Sequence, residues 1–427
     1  MRAVPQFIRR PWDYLMHDSM RRNSIFLMLG AAVGAGIGFF FWLLCARLFR
    51  AAEVGYAVSL ISCVNLAAAI TALGLNNAVI RFLPHHGRKA EYIGTVFSIA
   101  ALSSIVIGTA AIMMIGLLAP QLLFVTTDPA MFVTVLLLIM VSTLGVIADA
   151  VLLAHKDGKR IFLKTLWGYP LRLVLPFLFA GLRLQGILLV YGLTALIGLI
   201  YQGIAIAKQY RGQRIRFSIA TLYDTYRFTA GNLIGTIFGI LPSTLVPLIV
   251  LTKLGPEQAA FFYIPMQIAS LLTIVSSSSA QSFMAEASHE KTNAAYLRYL
   301  LRAARHLFSL LVPAALLLAA AGTAVLHFYG PRYAAAGETL LVLLCISSLF
   351  IGVNWLGDSL LNVQKRPLAY GVMNATNALL VCALVYMSAA HGLTSVGVAW
   401  LTGQALTVGV YLALQWRAVR SALLLRA

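Results

Sequence analysis

The sequence predicts an all-α integral membrane protein with about 12 transmembrane helices in two six-helix lobes, and three observations predict this fold class. Of the 427 residues, 60% are hydrophobic and only 11% are charged, whereas about 25% of an ordinary soluble protein is charged. The apolar residues form long runs, and a run of about 20 apolar residues can cross a bilayer. A pattern of glycines in the first half of the chain recurs in the second half.

Apolar runs bounded by charged residues, proline or glycine mark the candidate spans in order. The first six runs are 24–48, 54–80, 92–118, 131–154, 161–183 and 186–207. The next six are 228–251, 259–285, 303–328, 336–363, 367–388 and 393–416. The predicted domains are a cytoplasmic tail 1–23, a lobe 24–208, a basic cytoplasmic connector 209–226, a lobe 227–417 and a cytoplasmic tail 418–427. Because little sequence remains outside the runs, a large soluble catalytic domain is excluded.

The distribution of Lys and Arg predicts the orientation, because cytoplasmic loops carry an excess of basic residues. With the N-terminus inside, 25 of the 32 Lys and Arg fall on the cytoplasmic side, five on the other side and two within the fifth run. We therefore expect both termini in the cytoplasm and a multi-pass protein of the cell inner (cytoplasmic) membrane. The net charge of +19 then follows from topology, and no nucleic acid is expected as a partner.

A glycine ladder indicates an internal duplication. The ladder of the first run recurs at an offset of 201 in the seventh run, as Gly30, Gly34, Gly38 and Gly231, Gly235, Gly239. Because each half has an even number of runs, the repeat is parallel, and two such bundles can give alternating access. Small residues at this spacing let another helix approach closely, so the ladders serve either static packing or a moving gate.

Ionisable residues within the runs are candidates for function because a charge in a membrane is costly. Asp149 and Lys164 lie at matching depths in adjoining runs, which favours a structural ion pair over an ion-coupling role. Asp358 is the repeat counterpart of Asp149 at an offset of 209. For Asp358 we expect a pair with Lys365 or Arg366 at the membrane end, or a water-facing carboxylate, rather than a proton site.

Arg172 is the deepest cation, near the middle of the fifth run, and the neighbouring runs hold no acidic residue of comparable depth. We expect it to face a polar cavity and to hold an anionic group such as a phosphate, which arginine can bind bidentately. Arg81 and Arg47 lie at the inner and outer ends of the second and first runs. They either extend this attraction to both mouths of the cavity or only snorkel to the interface.

Uncharged polar residues predict further parts of a substrate cavity. Asn77 and Gln281 share an offset of 204, as two repeat-related walls would, and Gln267 and Asn232 lie in the eighth and seventh runs. Hydrogen bonds between helices are the alternative interpretation. The four cysteines and the histidines form no metal-binding pattern, so we expect no metal and no cofactor. Enzymatic motifs such as a P-loop or HExxH are also missing from the sequence, and we expect no catalytic residues.

The stretch 23–84 resembles the opening of oligosaccharide flippases of the polysaccharide-biosynthesis type. It has "AR" and "EVG" between the first two runs and "GLNNAVIRFLP" at the end of the second. The "LGPE" before the eighth run and the "NVQKRPLAYGVMNATNALL" after the tenth are also similar. These flippases belong to the multidrug/oligosaccharidyl-lipid/polysaccharide (MOP) exporter superfamily.

The resemblance implies a V-shaped pair of lobes with runs one, two, seven and eight around a portal. It also implies an activity, the movement of an undecaprenyl-diphosphate-linked oligosaccharide to the outer leaflet for surface polysaccharides such as lipopolysaccharide or exopolysaccharide. Members often carry Arg or Lys midway along the portal helices, whereas this sequence has them only at the ends. The implied partners are the lipid bilayer, the lipid-linked glycan and other polysaccharide-assembly proteins, and we expect a monomer.

Two other functions remain open from the sequence. A cation-coupled multidrug exporter of the same superfamily usually needs an acidic residue deep in a lobe. A membrane enzyme of glycan assembly usually has a large extracytoplasmic loop. In this sequence Asp149 lies near a run end, and the longest outside loop has only about a dozen residues by the span lengths used.

Overall fold

The computed structural model of the protein describes residues 19–213, 217–218, 226–287, 293–364 and 366–424. Within these residues the chain forms helices joined by short turns, and no strand is present. This confirms the all-α prediction. The two predicted cytoplasmic tails and the connector lie partly outside the described residues, and the side chain of Lys365 lies wholly outside them.

The helices of the first half are α1 (Ser19–Leu48), α2 (Ala51–Thr71), α3 (Leu75–Phe82), α4 (Lys89–Leu118), α5 (Phe124–Thr127), α6 (Pro129–Ala154), α7 (Gly158–Gly168), α8 (Leu171–Phe179) and α9 (Arg183–Gln209). Those of the second half are α10 (Tyr226–Leu254), α11 (Pro256–Ser270), α12 (Leu272–Ala287), α13 (Asn293–Tyr329), α14 (Pro331–Val363), α15 (Pro367–Ser388) and α16 (Leu393–Leu424).

Eleven segments of the described chain are long and apolar enough to cross a membrane. One of them, Gly158–Gln209, has 52 residues and contains α7, α8 and α9. At 1.5 Å per helical residue this segment is more than twice as long as the roughly 30 Å hydrocarbon core. The predicted count of 12 spans therefore requires two crossings by this segment, and that count and the orientation stay predictions.

Three of the predicted runs are broken, although continuous helices were expected. The run 54–80 is interrupted where Leu73 and Gly74 adopt left-handed backbone conformations, with φ of 51° and 69°. The run 161–183 is interrupted between α7 and α8 at Pro170, a residue with no backbone N–H to continue the helix. The run 259–285 is interrupted at Leu271. Hydropathy measures only how apolar a run is, so it does not reveal such breaks.

The chain divides into two compact units. The first comprises Met1–Leu48, Ala67–Leu118 and Leu122–Leu233, and the second comprises Phe49–Leu66, Ala119–Gln121 and Ile234–Ala427. In the first unit, α4 and α6 share a core in which Tyr92, Val96 and Ile147 are fully buried. In the second unit, Leu361 of α14, Met373 of α15 and Tyr411 of α16 form a buried cluster.

Each glycine ladder packs against a tyrosine. A methyl group added at Gly34 would lie 3.4 Å from Cε2 of Tyr169, and one added at Gly235 would lie 2.9 Å from Cε1 of Tyr370. The two tyrosines are separated by 201 positions, which is also the offset between the two ladders. A glycine–tyrosine contact therefore occurs within each unit. At Gly235 an added methyl group would overlap the ring, whereas at Gly34 it would lie at ordinary contact distance.

The other ladder positions differ in their surroundings. An added methyl group would lie 3.6 Å from Cα of Phe162 at Gly30 and 3.4 Å from Oδ1 of Asn374 at Gly239. At Gly38 such a group would have no atom within 4 Å. Gly231 lies within α10, but its contacts fall outside the described residues. The ladders thus serve close packing at four of these positions, and their role in a gate stays a prediction.

We expect the substitution Gly235→Leu to destabilise the protein, because the new side chain displaces the Tyr370 ring and overpacking costs about 1–3 kcal/mol. The measurement is the melting temperature of the purified protein in detergent. Gly38→Leu is the matched control, since nothing lies within 4 Å of an added methyl group there. Equal melting temperatures for the two variants would contradict the packing role, whereas recovery in Gly235→Leu/Tyr370→Ala would support it.

Candidate functional site

The first unit holds a compensated ion pair between α6 and α7. Lys164 Nζ lies 2.7 Å from both carboxylate oxygens of Asp149, and Gln202 of α9 donates a hydrogen bond of 2.6 Å to Oδ1. The Lys164 side chain is only 13% exposed. Asp157, the N-cap of α7, accepts a hydrogen bond from the Arg160 backbone N–H and so fixes the start of the helix that carries the lysine. The arrangement is that of a structural pair, in which the charge on each partner is balanced.

The second unit holds a carboxylate with neutral partners. Asp358 of α14 accepts a short hydrogen bond from the Tyr411 hydroxyl of α16 and one of 3.1 Å from Asn374 Nδ2 of α15. Among the described residues no cation pairs with it, so of the two expected partners Arg366 does not reach it, and Lys365 lies outside the described residues. The physical reason is that α14 ends at Val363 and the chain reverses, so Arg366 becomes the N-cap of α15.

The two carboxylate sites share one sequence offset, close to that of the predicted repeat. Asp149 and Asp358 are 209 positions apart, and their donors Gln202 and Tyr411 are also 209 positions apart. In each unit a carboxylate thus accepts a hydrogen bond from the same position of a later helix. The difference lies in the third group, which is a cationic lysine in the first unit and the neutral amide of Asn374 in the second. The second carboxylate lacks the charge compensation of the first.

A column of polar groups leads along α14 towards Asp358. Ser347, Asn354 and Asp358 are spaced by seven and four residues, which places them on one face of the helix. Asn354 Nδ2 donates a hydrogen bond of 2.8 Å to Gln404 Oε1 of α16. Three buried atoms have no hydrogen-bond partner among the described residues, namely Ser347 Oγ, Asn354 Oδ1 and Trp400 Nε1. Such groups are costly to bury, so this column is a polar feature that packing alone does not require.

The first unit has apolar residues at the positions that correspond to this column. The positions 209 residues before Ser347, Asn354 and Gln404 are Leu138, Gly145 and Ala195. None of these residues has a polar side chain. The two units therefore share the carboxylate and its donor but differ at these three positions, and the buried polar residues of the first unit on the same helices, Thr143 and Thr194, lie elsewhere along them.

Arg172 lies in an aromatic cage in the first unit. Its Nε donates a hydrogen bond of 2.9 Å to Thr194 Oγ1 of α9. Its Cζ lies 4.3 Å from the ring centroid of Tyr169, 4.8 Å from that of Tyr191 and 6.0 Å from that of Phe41. Aromatic faces attract a cation through their quadrupole. The side chain is half-buried, and no carboxylate pairs with it among the residues the structure describes.

The break between α7 and α8 builds this cage. Pro170 caps α8, and the Arg172 backbone N–H donates a hydrogen bond of 2.8 Å to the Tyr169 carbonyl. This turn holds the tyrosine ring beside the guanidinium. The same ring packs against Gly34 of α1, so the glycine ladder indirectly positions the cage. Arg172 is thus a positive charge inside a span that lies against aromatic rings and donates a hydrogen bond to the Thr194 hydroxyl.

The other predicted site residues are spread over several helices. In the first unit, Arg47 is exposed in the last turn of α1, Arg81 is exposed on α3 with its guanidinium 5.5 Å from the Phe82 ring, and Asn77 is half-buried on α3. In the second unit, Gln267 is half-buried on α11 and Gln281 is exposed on α12. Asn232 lies in α10, but its side chain is outside the described residues. Their roles as cavity walls or mouths stay predictions.

Sequence reasoning missed several residues of these sites, among them two hydrogen-bond donors and two tyrosines of the cage. Gln202 and Tyr411 could have been found, because their offset of 209 matches that of the two aspartates they contact. Tyr169 and Tyr191 carried no signal of their own, since aromatic residues are common in membrane helices. They gain a role only because the turn at Pro170 and the packing of α9 bring both rings to one cation.

We expect Lys164→Met to destabilise the protein by about 3–5 kcal/mol, because it leaves the Asp149 carboxylate without its cation. The double variant Lys164→Met/Asp149→Leu removes both charges and should recover most of the lost stability. The measurement is the melting temperature of each purified variant. Additive losses in the double variant would show that the two side chains do not act as a pair.

Several solved structures resemble the chain. An inward-facing multidrug resistance MATE family transporter of the MOP superfamily is 12% identical, with a TM-score of 0.72 over 93% of this chain and 98% of that chain. The outward-facing conformation of such a transporter is 13% identical, with a TM-score of 0.62 over 94% and 96%. A MOP superfamily transporter from Pyrococcus furiosus is 13% identical, with a TM-score of 0.61 over 95% and 96%. These likenesses show the fold.

Sequence comparison supplies the family. No curated protein matches the sequence. A family model described as "Polysaccharide biosynthesis protein" matches residues 44–338, which is more than half of the chain. The predicted resemblance to the polysaccharide-biosynthesis branch of the MOP superfamily is confirmed. With its all-α membrane fold and its match over 44–338, the chain belongs to the polysaccharide biosynthesis protein family.

Proposed function

We propose that the protein is a flippase for a lipid-linked oligosaccharide, carried on undecaprenyl diphosphate and moved across the cytoplasmic membrane by alternating access. The family supports a role in polysaccharide biosynthesis, and the likeness to MATE family structures supports a transporter fold. The observation that carries the choice of substrate is Arg172, a cation inside a span with no carboxylate partner among the described residues.

The chemistry of the Arg172 cage suits an anionic, sugar-bearing cargo. A guanidinium has five N–H donors in a planar arrangement that matches phosphate oxygens. Among the described residues, Nε is the donor that is engaged, with Thr194 Oγ1. The rings of Tyr169 and Tyr191 provide apolar faces beside the charge. A diphosphate can therefore bind the guanidinium, and the adjoining sugar can lie against an aromatic face.

The same cage argues against a cationic drug as the cargo. Two like charges 4 Å apart repel by about 4 kcal/mol at an effective dielectric constant near 20. A cationic drug that bound beside Arg172 would experience this repulsion from the guanidinium. No described feature favours a membrane enzyme of glycan assembly, and the proposal assigns no catalytic residue.

We expect Arg172→Gln to reduce transport at least tenfold, because it removes the charge and the fork that hold the diphosphate, an interaction of about 1.5–3 kcal/mol. The measurement uses native cells in which the variant replaces the protein. Undecaprenyl-diphosphate-linked glycan is extracted, identified by mass and assigned to a leaflet. It should accumulate on the inner leaflet.

Arg183→Gln is the matched control, since Arg183 is an exposed arginine at the start of α9 in the same unit. It should leave the glycan distribution unchanged. Normal transport by Arg172→Gln would remove this residue from the substrate site. If depletion of the whole protein causes no glycan to accumulate but increases sensitivity to cationic drugs, the flippase proposal fails in favour of a multidrug exporter.

We infer further that a coupling proton binds at Asp358 and not at Asp149. The groups that face Asp358 are Tyr411 from α16 and Asn374 and Tyr370 from α15, and Gly239 of α10 lies against that asparagine. None of these side chains carries a compensating positive charge. Protonation of Asp358 therefore changes the net charge of its surroundings. Asp149 already shares its charge with Lys164.

We expect Asp358→Asn to remove the dependence of transport on a transmembrane pH gradient. A side-chain amide neither gains nor loses a proton at physiological pH, so the variant cannot carry the coupling proton. The measurement is glycan-lipid movement in proteoliposomes with and without an imposed gradient. Glu338→Gln is the control, since Glu338 is an exposed carboxylate on the same helix that accepts a hydrogen bond from the Thr323 hydroxyl. An unchanged response to the gradient in Asp358→Asn would exclude this residue as the coupling site.

A further inference from the structure

A basic pocket lies at one end of the first unit, apart from the Arg172 cage. It is a cavity of about 380 Å³, open to solvent, and it is lined by Arg22, Asn23, Phe26, Lys156, Asp157 and Lys159. Three candidate spans begin or end at these residues, because one begins at Ile25, another ends at Ala154 and a third begins at Gly158. The pocket therefore lies at the level where lipid headgroups meet the hydrocarbon core.

The pocket is positively charged. Arg22, Lys156 and Lys159 contribute three cations, and Asp157 is the single carboxylate among the lining residues. That carboxylate is already engaged, since its Oδ2 lies 3.1 Å from Arg160 Nη1 and its Oδ1 accepts from the Arg160 backbone N–H at 3.2 Å. Its negative charge is thus balanced by Arg160, which does not line the cavity. The three lining cations retain an excess of positive charge.

The backbone around the pocket holds the cations in place. At the end of α6 the Asp157 N–H donates to the Leu152 carbonyl at 2.9 Å, and the Lys156 N–H donates to the Leu153 carbonyl at 2.9 Å. Lys156 has a φ of 56°, as expected at the left-handed position of a Schellman motif. The loop that carries two of the three cations is therefore a defined turn.

Asn23 and Phe26 complete the pocket from α1. Asn23 Oδ1 accepts a hydrogen bond of 2.5 Å from the Gly158 N–H, so the amide oxygen is occupied and the NH₂ group is the end left for an acceptor. Phe26 contacts the ring of Phe162, with centroids 5.8 Å apart, and forms an apolar wall next to the charges. The lining thus combines hydrogen-bond donors and cations with an apolar wall at the membrane side.

The geometry points to a binding site for the phosphate group of an anionic membrane lipid. Arginine and lysine are the side chains that bind phosphate in proteins, and basic pockets between transmembrane helices bind lipid headgroups. The apolar wall at Phe26 suits the first carbons of the lipid chain. Two lipids share this chemistry, a phospholipid such as phosphatidylglycerol and the polyprenyl diphosphate of the proposed cargo.

The test measures lipid binding to the delipidated, purified full-length protein by native mass spectrometry. The probes are dioleoyl phosphatidylglycerol, undecaprenyl diphosphate and the phosphate-free lipid dioleoylglycerol. We expect Lys156→Gln/Lys159→Gln to weaken binding of the phosphate lipids by roughly thirtyfold, on the basis of about 1 kcal/mol per basic residue. Binding of dioleoylglycerol should be weak and unchanged.

Arg88→Gln/Lys208→Gln is the matched control, because it removes two exposed basic residues of the same unit that do not line the pocket. It should bind the phosphate lipids as the wild type does. Arg22→Gln serves as a second variant on another helix, and melting temperatures establish that each variant is folded. Wild-type lipid binding by both pocket variants, or equal losses in the control, would overturn the proposal.

Comparing the binding of the two phosphate lipids shows which of them is the ligand of the pocket. Tighter binding of undecaprenyl diphosphate than of phosphatidylglycerol would identify the pocket as a loading site for the carrier lipid. The opposite preference would identify it as a site for bulk phospholipid. Either result is independent of Arg172, so a failed flippase assay with an intact lipid site, or the reverse, tells the two proposals apart.

Discussion

The constraint on which the structure depends is that a charge inside a membrane must find its partner within the protein. Hydrocarbon offers no water to solvate an ion, so each ionisable side chain in a span has to be paired, hydrogen-bonded or placed against a polarisable surface. The protein uses all three solutions. Asp149 is paired with Lys164, Asp358 is hydrogen-bonded by neutral groups, and Arg172 lies against aromatic rings.

These three arrangements differ in whether the charge can still be neutralised by a ligand or a proton. A balanced pair such as Asp149 and Lys164 resists change, because removing either charge leaves the other uncompensated. A carboxylate held by Tyr411 and Asn374, or a guanidinium held by Tyr169, keeps a charge that a proton or an anionic ligand can still neutralise. Asp149 and Asp358 share the offset of 209 with their donors Gln202 and Tyr411, so the two carboxylate sites differ mainly in the third group, Lys164 in one and Asn374 in the other.

Breaks in the helices position these groups. The turn at Pro170 presents the Tyr169 ring to both Gly34 and Arg172. The ring contacts Gly34 of α1 and also faces the guanidinium, so α1 packs against one wall of the cage. In the second unit Tyr370 packs on Gly235 and its carbonyl accepts from Asn374, the amide that also donates to Asp358. In both units a glycine ladder thus supports a charged site through one tyrosine.

The sequence by itself determined the all-α membrane class, the family and the identity of the charged candidates. These follow from local properties, because a 20-residue apolar run and an ionisable residue within it are visible without any contact. The matching depths of Asp149 and Lys164 also follow from counting residues along two adjoining runs.

Tertiary structure alone decided the partners and therefore the roles. Asp358 contacts Tyr411, 53 residues later, and not Arg366, eight residues later, because α14 ends and the chain reverses between them. Arg172 acquires its cage from Tyr191 and Phe41, which lie on other helices. The left-handed turn at Leu73 and Gly74 and the cluster of cations around Asn23 likewise depend on which helices pack together. Hydropathy and charge fix where a segment lies in the membrane, whereas packing between helices decides which side chains meet.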